Sequence, residues 1–142
     1  MSKHLAPTVC LTFLVLALWH FYLALVPGAG AAAAVPSVKG APLFRPTRQA
    51  TVAVGVVLLL FAALVAATAH MIALGLPRFA LSALSYALAL GLLARAVGEF
   101  RYVGFFKRVR GTRFARLDTL LYSPLCLLLA VGVAVVTLQN GS

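Results

Sequence analysis

The sequence predicts an all-α polytopic membrane protein, a bundle of four transmembrane helices with both termini outside. Three observations carry that prediction. First, 63% of the 142 residues are hydrophobic and 10% are charged, with a mean hydropathy of +1.07. A soluble domain carries about 45–50% apolar and about 25% charged residues, so a water-soluble enzyme is excluded at the outset. Second, four apolar stretches are long enough to cross a bilayer core of about 30 Å, which takes about 20 residues. They run from about 8 to 26, 50 to 74, 79 to 97 and 118 to 138, within a single domain covering 1–142. Third, twelve Lys and Arg stand against two acids, and most of these cations fall on one side of the topology.

The first stretch follows Lys3 and therefore invites comparison with a cleaved signal peptide. Its apolar run is longer than the 7–15 residues or so of a signal core and carries Trp19, His20 and Tyr22 at its end, so it is expected to stay as a helix. In the loop 27–49, Pro27, Pro36, Pro42 and Pro46 argue against continuous helix. The apolar middle of that loop, 31–35, is expected near the membrane surface. After the second stretch, Gly75-Leu76-Pro77-Arg78 predicts a tight turn, with Gly ending one helix and Pro opening the next. Gly55, Ala62, Ala66, Ala83, Ala87 and Gly91 suit close helix packing better than a lined pore.

The fourth stretch contains Pro124. A helix starting at Ser123, with Pro124 in its first turn, leaves about 15 residues, or about 22 Å, too short for the bilayer core. A start at Asp118, with that carboxylate as N-cap, restores the length. Pro124 then costs the bond to Leu120 and kinks the helix, with Tyr122 and Ser123 near the break.

Four spans put both termini and the short turn on one side, with only Lys3 and Arg78 as cations. Ten cations fall on the other side: Lys39, Arg45, Arg48, Arg95, Arg101, Lys107, Arg108, Arg110, Arg113 and Arg116. The positive-inside rule makes that side cytoplasmic, so loops 27–49 and 98–117 face the cytoplasm.

The second of these loops interleaves its cations with Phe100, Tyr102, Phe105, Phe106 and Phe114. Such interleaving can stack on single-stranded nucleic acid. Between two spans it predicts an interfacial segment facing anionic headgroups, and no nucleic-acid partner is expected. A specific anionic ligand or a partner protein are the alternatives. The only acids, Glu99 and Asp118, bracket the loop and are expected to pair with Arg95 or Arg101. A proton-relay or substrate-contact role is the functional alternative.

His20 and His70 lie within apolar stretches but differ by about 12 Å in depth, too far to share a metal. No Cys or carboxylate completes a ligand spacing around either, and no cofactor is expected. Each His is expected to bond across to a neighbouring helix, with His20 the better functional candidate. Cys10 and Cys126 sit at different depths, so no disulfide is expected, and there is no CxxC pair. No phosphate loop, dinucleotide fingerprint, nucleophile elbow or HExxH is present.

The stretch 95–130 contains Gly98-Glu99-Phe100-Arg101-Tyr102-Val103-Gly104-Phe105-Phe106-Lys107, then Thr112-Arg113-Phe114-Ala115-Arg116-Leu117-Asp118-Thr119 and Tyr122-Ser123-Pro124-Leu125-Cys126. It resembles DUF3995, a family of bacterial membrane proteins. The similarity extends to Pro36, Gly40 and Leu43-Phe44-Arg45-Pro46, and to Trp19, His20 and Tyr22, so it covers most of the chain. The acidic position that is often Asp in the family is Glu99 here, with the same charge. The resemblance implies a small multi-pass protein of the bacterial plasma membrane and no named reaction.

It also directs attention to the inner face, where His20, Arg45, Glu99, Arg101, Tyr102, Lys107, Asp118, Tyr122 and Ser123 form the candidate cluster. Two functions follow from different classes. One is a non-enzymatic membrane protein whose basic face binds anionic lipid, a ligand or a partner subunit, with self-association or a partner membrane protein possible. The other is a small oligomeric transporter, or a redox or lipid-modifying enzyme, using His20, Glu99 and Asp118.

Overall fold

Helices that are apolar around most of their circumference have no solvent face to offer and belong in a bilayer. The computed structural model describes residues 2–26, 37–38, 41–42, 47–98 and 121–140. In chain order these form α1 (Ser2–Leu25), β1 (Ser37–Val38), β2 (Ala41–Pro42), α2 (Arg48–Thr68), α3 (Arg78–Val97) and α4 (Ser123–Asn140). All four helices are long and apolar enough to cross a membrane. The fold is all-α, a four-helix bundle compatible with four spans. The two strands are a minimal antiparallel ladder, Ser37 opposite Pro42 and Val38 opposite Ala41. A ladder with two edges and no centre tolerates a proline.

The helix limits are set by caps that hydropathy does not register. α1 begins at Ser2, earlier than the expected start near Thr8, and runs through Pro7. That proline removes only the bond to the Lys3 carbonyl, close to an end whose N–H groups are orphaned anyway. The Thr8 and Thr12 hydroxyls donate to the carbonyls of His4 and Thr8, at 2.6 and 2.8 Å. α2 starts where the Thr47 side chain accepts from the Ala50 N–H at 3.0 Å.

α2 ends at Thr68, well short of the expected Leu74. The His70 N–H donates to Ala67 and the Met71 N–H to Ala66, at 3.1 and 2.8 Å. These two bonds form a Schellman cap, with His70 left-handed at φ 62° in the position glycine usually takes. Residues 69–74 are apolar, but the cap is made by backbone groups, so the apolar pattern runs on past the helix end. Arg78 Nη1 donates to His70 Nδ1 at 3.2 Å and ties this cap to the start of α3. Gly75 is left-handed too (φ 73°), but it lies inside the connection, not at the end of α2. Pro77 is the N-cap of α3, not its first helical residue, and its carbonyl accepts from Ala80 and Leu81.

At the other end of α3, Gly98 caps at φ 85°, its N–H donating to Ala94 at 2.7 Å. Near Pro124 the helix type changes, and residues 118–120, on which the expected kink turns, lie outside the described residues. Leu121 and Tyr122 follow a π-helical turn, and α-helical geometry begins at Ser123. The helix then continues to Asn140, beyond the expected 138. Residue 118, and with it the proposed cap, lies outside the described residues.

α1 and α2 pack antiparallel in intimate contact. Cys10 Sγ reaches the Ala62 carbonyl at 3.5 Å. Phe13 meets Phe61 edge-on, with ring centroids 5.7 Å apart. One turn from the end of α1, Phe21 lies against Gly55, where a Cβ would stand 2.5 Å from the ring. α3 and α4 form a second close pair, whereas α2 and α3 touch sparsely. Gly132 of α4 admits Val9 of α1, whose Cγ2 would lie 2.9 Å from an added Cβ. The core at the meeting of the pairs is built on Phe13, Val65, Val133 and Val136, each almost wholly buried. Leu25, Phe79 and Leu128 point outward as lipid-facing side chains.

These contacts rank three glycine substitutions. Val9 is β-branched and buried, so its side chain has no alternative rotamer to retreat to. Gly132→Ala is therefore expected to cost about 1–3 kcal/mol as α1 and α4 are forced apart. Gly55→Ala should cost less, because the half-buried Phe21 ring can swing toward lipid. Gly91→Ala meets nothing within 4 Å and should be neutral or stabilising by up to about 1 kcal/mol. Thermal unfolding in detergent micelles checks the order; equal midpoints for Gly132→Ala and Gly91→Ala would show that the α1–α4 approach is not a packing constraint.

Candidate functional site

The C-terminal ends of α1 and α3 and the starts of α2 and α4 lead to or from the two basic loops, and together make the basic end of the bundle. Of the candidate cluster, the structure describes His20, Tyr122 and Ser123. Arg45, Glu99, Arg101, Tyr102, Lys107 and Asp118 lie outside the described residues, and with them the expected ion pairs.

His20 is half-buried near the end of α1. Its Nδ1 lies 2.7 Å from the Leu16 carbonyl, so the bond turns back along α1 instead of crossing to a neighbour as expected. The reason is local: in a helix the carbonyl four residues back lies within reach of a side chain, and in lipid it competes well with a distant partner. Since a carbonyl can only accept, the Nδ1 carries the proton in this bond. Trp19 and Tyr22 stack at 5.5 Å and are both substantially exposed. This is the arrangement of an aromatic belt at headgroup level.

Ser123 is the first residue of α4 and is fully buried, yet its Oγ has no hydrogen-bond partner among the described residues. Tyr122 precedes it in the π turn and is half-buried. On the neighbouring helix, Arg95 sits in the last turn of α3, with its Nη1 buried. A cation there complements the negative end of the helix dipole. Arg48 opens α2 and is exposed. The described part of the basic end is therefore cationic, carrying two arginines, the N-terminus of α2 and a buried hydroxyl without a partner among the described residues.

His70 is at the opposite end of the bundle, exposed and engaged with Arg78. It is a capping residue. Among the described residues no three His, Cys, Asp or Glu side chains come together as a metal site. Neither cysteine forms a disulfide.

Two features were not read from the sequence. One is a buried hydrogen bond between the Thr68 and Ser85 hydroxyls, 2.8 Å long, joining α2 to α3. The other is an apolar crevice of about 520 Å³ between the same helices, lined by Phe61, Leu64, Leu84, Leu88, Gly91 and Leu92, among others. The small residues of the sequence divide accordingly. Gly55, Ala62 and Ala66 of α2 pack against neighbours as expected. Ala83, Ala87 and Gly91 of α3 are exposed instead, and the last two line the crevice. A spacing of four places residues on one face of a helix but does not say whether another helix covers that face.

The chain matches DUF3995, described as a protein of unknown function, over residues 13–133, and it belongs to that family. The match runs from the middle of α1 into α4 and includes both basic loops. The chain is thus a small membrane protein of a family whose role is open. No curated protein and no solved structure matches it.

The unpartnered Ser123 hydroxyl gives a direct test of this end. A buried polar group without a hydrogen bond costs about 1–3 kcal/mol, so Ser123→Ala is expected to raise the thermal midpoint of the purified protein. A lowered midpoint would show that the hydroxyl makes a stabilising contact in the folded protein.

Proposed function

We propose that this DUF3995 member is a multi-pass protein of the bacterial plasma membrane, inserted with both termini outside, whose basic cytoplasmic face engages anionic lipid headgroups. The observation that carries this reading is the distribution of charge. Ten of the twelve cations belong to the two loops and the helix turns beside them, and only Lys3 and Arg78 to the other side. Two elements of the fold support it. Arg95 completes the last turn of α3 and Arg48 opens α2, so cations stand at the helix ends that lead to the basic loops. The stacked Trp19 and Tyr22 lie toward the same end of the bundle on α1. Each Lys or Arg near an anionic surface contributes about 1 kcal/mol, so the cations that the sequence places between 95 and 116 add up to more than a random scatter of charge supplies. The attraction is electrostatic and falls off within a Debye length of about 10 Å at 0.1 M salt.

Orientation and lipid preference are tested separately. In a variant with Cys10 and Cys126 replaced by Ser, a cysteine added at Ser142 is expected to react with a membrane-impermeant maleimide in intact cells. A cysteine at Thr112 should react only after lysis; the opposite pattern overturns the orientation. For lipid preference, the protein is reconstituted with spin-labelled phosphatidylglycerol or phosphatidylcholine. The motionally restricted fraction should be larger for the anionic lipid, shrink in high salt, and fall when Arg108, Arg110 and Arg113 are changed to Gln. Equal fractions for the two lipids in the wild type would overturn the reading.

A further inference from the structure

The two close helix pairs are each a hairpin whose connection is one of the long basic loops: α1 with α2, and α3 with α4. The seam between the hairpins is closed at the other end by the short connection 69–77. There the Arg78–His70 bond and, two turns further along α3, the buried Thr68–Ser85 bond hold α2 to α3. Toward the basic end this fastening is lost. At Gly91 nothing stands within 4 Å of where a Cβ would be, and the crevice opens between the helices.

We infer that this crevice is the site of one phospholipid with an anionic headgroup, an acyl chain lying between α2 and α3 and its phosphate meeting Arg95. The inference rests on the proposed contact between the basic face and anionic lipid, and gives it a defined site. Three observations carry it.

The first is chemical. The lining is apolar throughout, and about 520 Å³ of apolar space open to a bilayer fills with hydrocarbon, because an empty gap forfeits the dispersion contacts of every group around it. The second is dimensional. From Leu84, at the closed end of the crevice, to Arg95 is about 16 Å along α3. Half of a bilayer core is about 15 Å, the depth of one leaflet. The crevice and Arg95 together therefore match the acyl chain and phosphate of a lipid in the leaflet at the basic end. The third is electrostatic. Arg95 follows Gly91 by one turn on the same face and carries a permanent charge with a fork of N–H donors that suits a phosphate.

A second copy of the chain fits less well. A two-fold contact in a membrane would bring two concave faces together and set Arg95 beside its own counterpart, a like-charge pair.

The test is native mass spectrometry of the full chain taken from vesicles of equal phosphatidylglycerol and phosphatidylcholine. The expected result is one phosphatidylglycerol retained per chain in preference to phosphatidylcholine. Arg95→Gln should lower the retained fraction about tenfold, the effect of losing one charge-assisted hydrogen bond, and Arg95→Lys should recover most of it. Gly91→Leu fills the crevice and should displace the lipid too. Because that position meets open space, Gly91→Leu keeps the inference falsifiable should Arg95→Gln fail to fold. Equal retention of both lipids, or retention unchanged by Gly91→Leu, overturns it, as does a doubled mass that Gly91→Leu abolishes, which would identify a second copy as the occupant. The spin-label measurement separates the two levels. If the loop variant loses its preference for anionic lipid while retention is indifferent to Gly91 and Arg95, the crevice site falls and the wider reading stands. If the wild type shows no preference in that measurement, the wider reading falls.

Discussion

Helices in a bilayer gain nothing by hiding apolar surface from one another, because lipid tails are as apolar as leucine. Association has to come from close contact, and close contact needs backbones that can approach. The protein meets this constraint unevenly. α1 and α2 approach through Gly55, Ala62 and Ala66, with Phe13 and Phe21 of α1 filling what the small residues leave open. α4 approaches α1 at Gly132. Between α2 and α3 the approach fails along most of the length, and the crevice results. The core, the crevice and the division into two hairpins all follow from where small side chains face a partner and where they do not.

Most polar side chains of the helices obey the companion constraint, that no hydrogen-bonding group is left unpaired in hydrocarbon. Most solve it locally. Thr8, Thr12, His20 and Thr137 bond to the carbonyl four residues earlier, which asks nothing of a neighbouring helix. Thr68 and Ser85 solve it between helices, and that makes their pair informative: it fixes the register of α2 against α3 at one level. Ser123 solves it in neither way among the described residues, at the basic end of the same bundle.

Composition made the fold class legible, because a chain this apolar has no polar shell with which to cover a soluble core. The four spans followed from length alone, and the turn between the second and third from Gly75 and Pro77. What was not legible depends on backbone partners or on which face another helix covers. The end of α2 is an example: residues 69–74 continue the apolar pattern, and only the left-handed His70 and its two backbone bonds show that the helix has stopped. The Ala83-Ala87-Gly91 stripe is another, since the same spacing serves a packed face and a bare one. Of the candidate cluster, the sequence could name residues by type and by side. It placed His20 correctly within the first span, but not the direction of its hydrogen bond, because the nearer acceptor on its own helix wins by geometry rather than by residue type.

The connectivity explains why the seam opens toward one leaflet only. Each long loop links two helices that are already in close contact, so neither loop ties one hairpin to the other across the α2–α3 seam. The only covalent tie at that seam is the short connection 69–77, where capping and side-chain bonds accumulate within a few residues. A pair of helices fastened at one end, with a glycine and small residues lower down, is a wedge whose open side faces the other end. That end carries the cations. Helix connectivity and charge distribution are separate properties of the sequence, one set by turns and the other by insertion, and their coincidence at one end of the bundle is the ground on which an anionic lipid is proposed for the crevice.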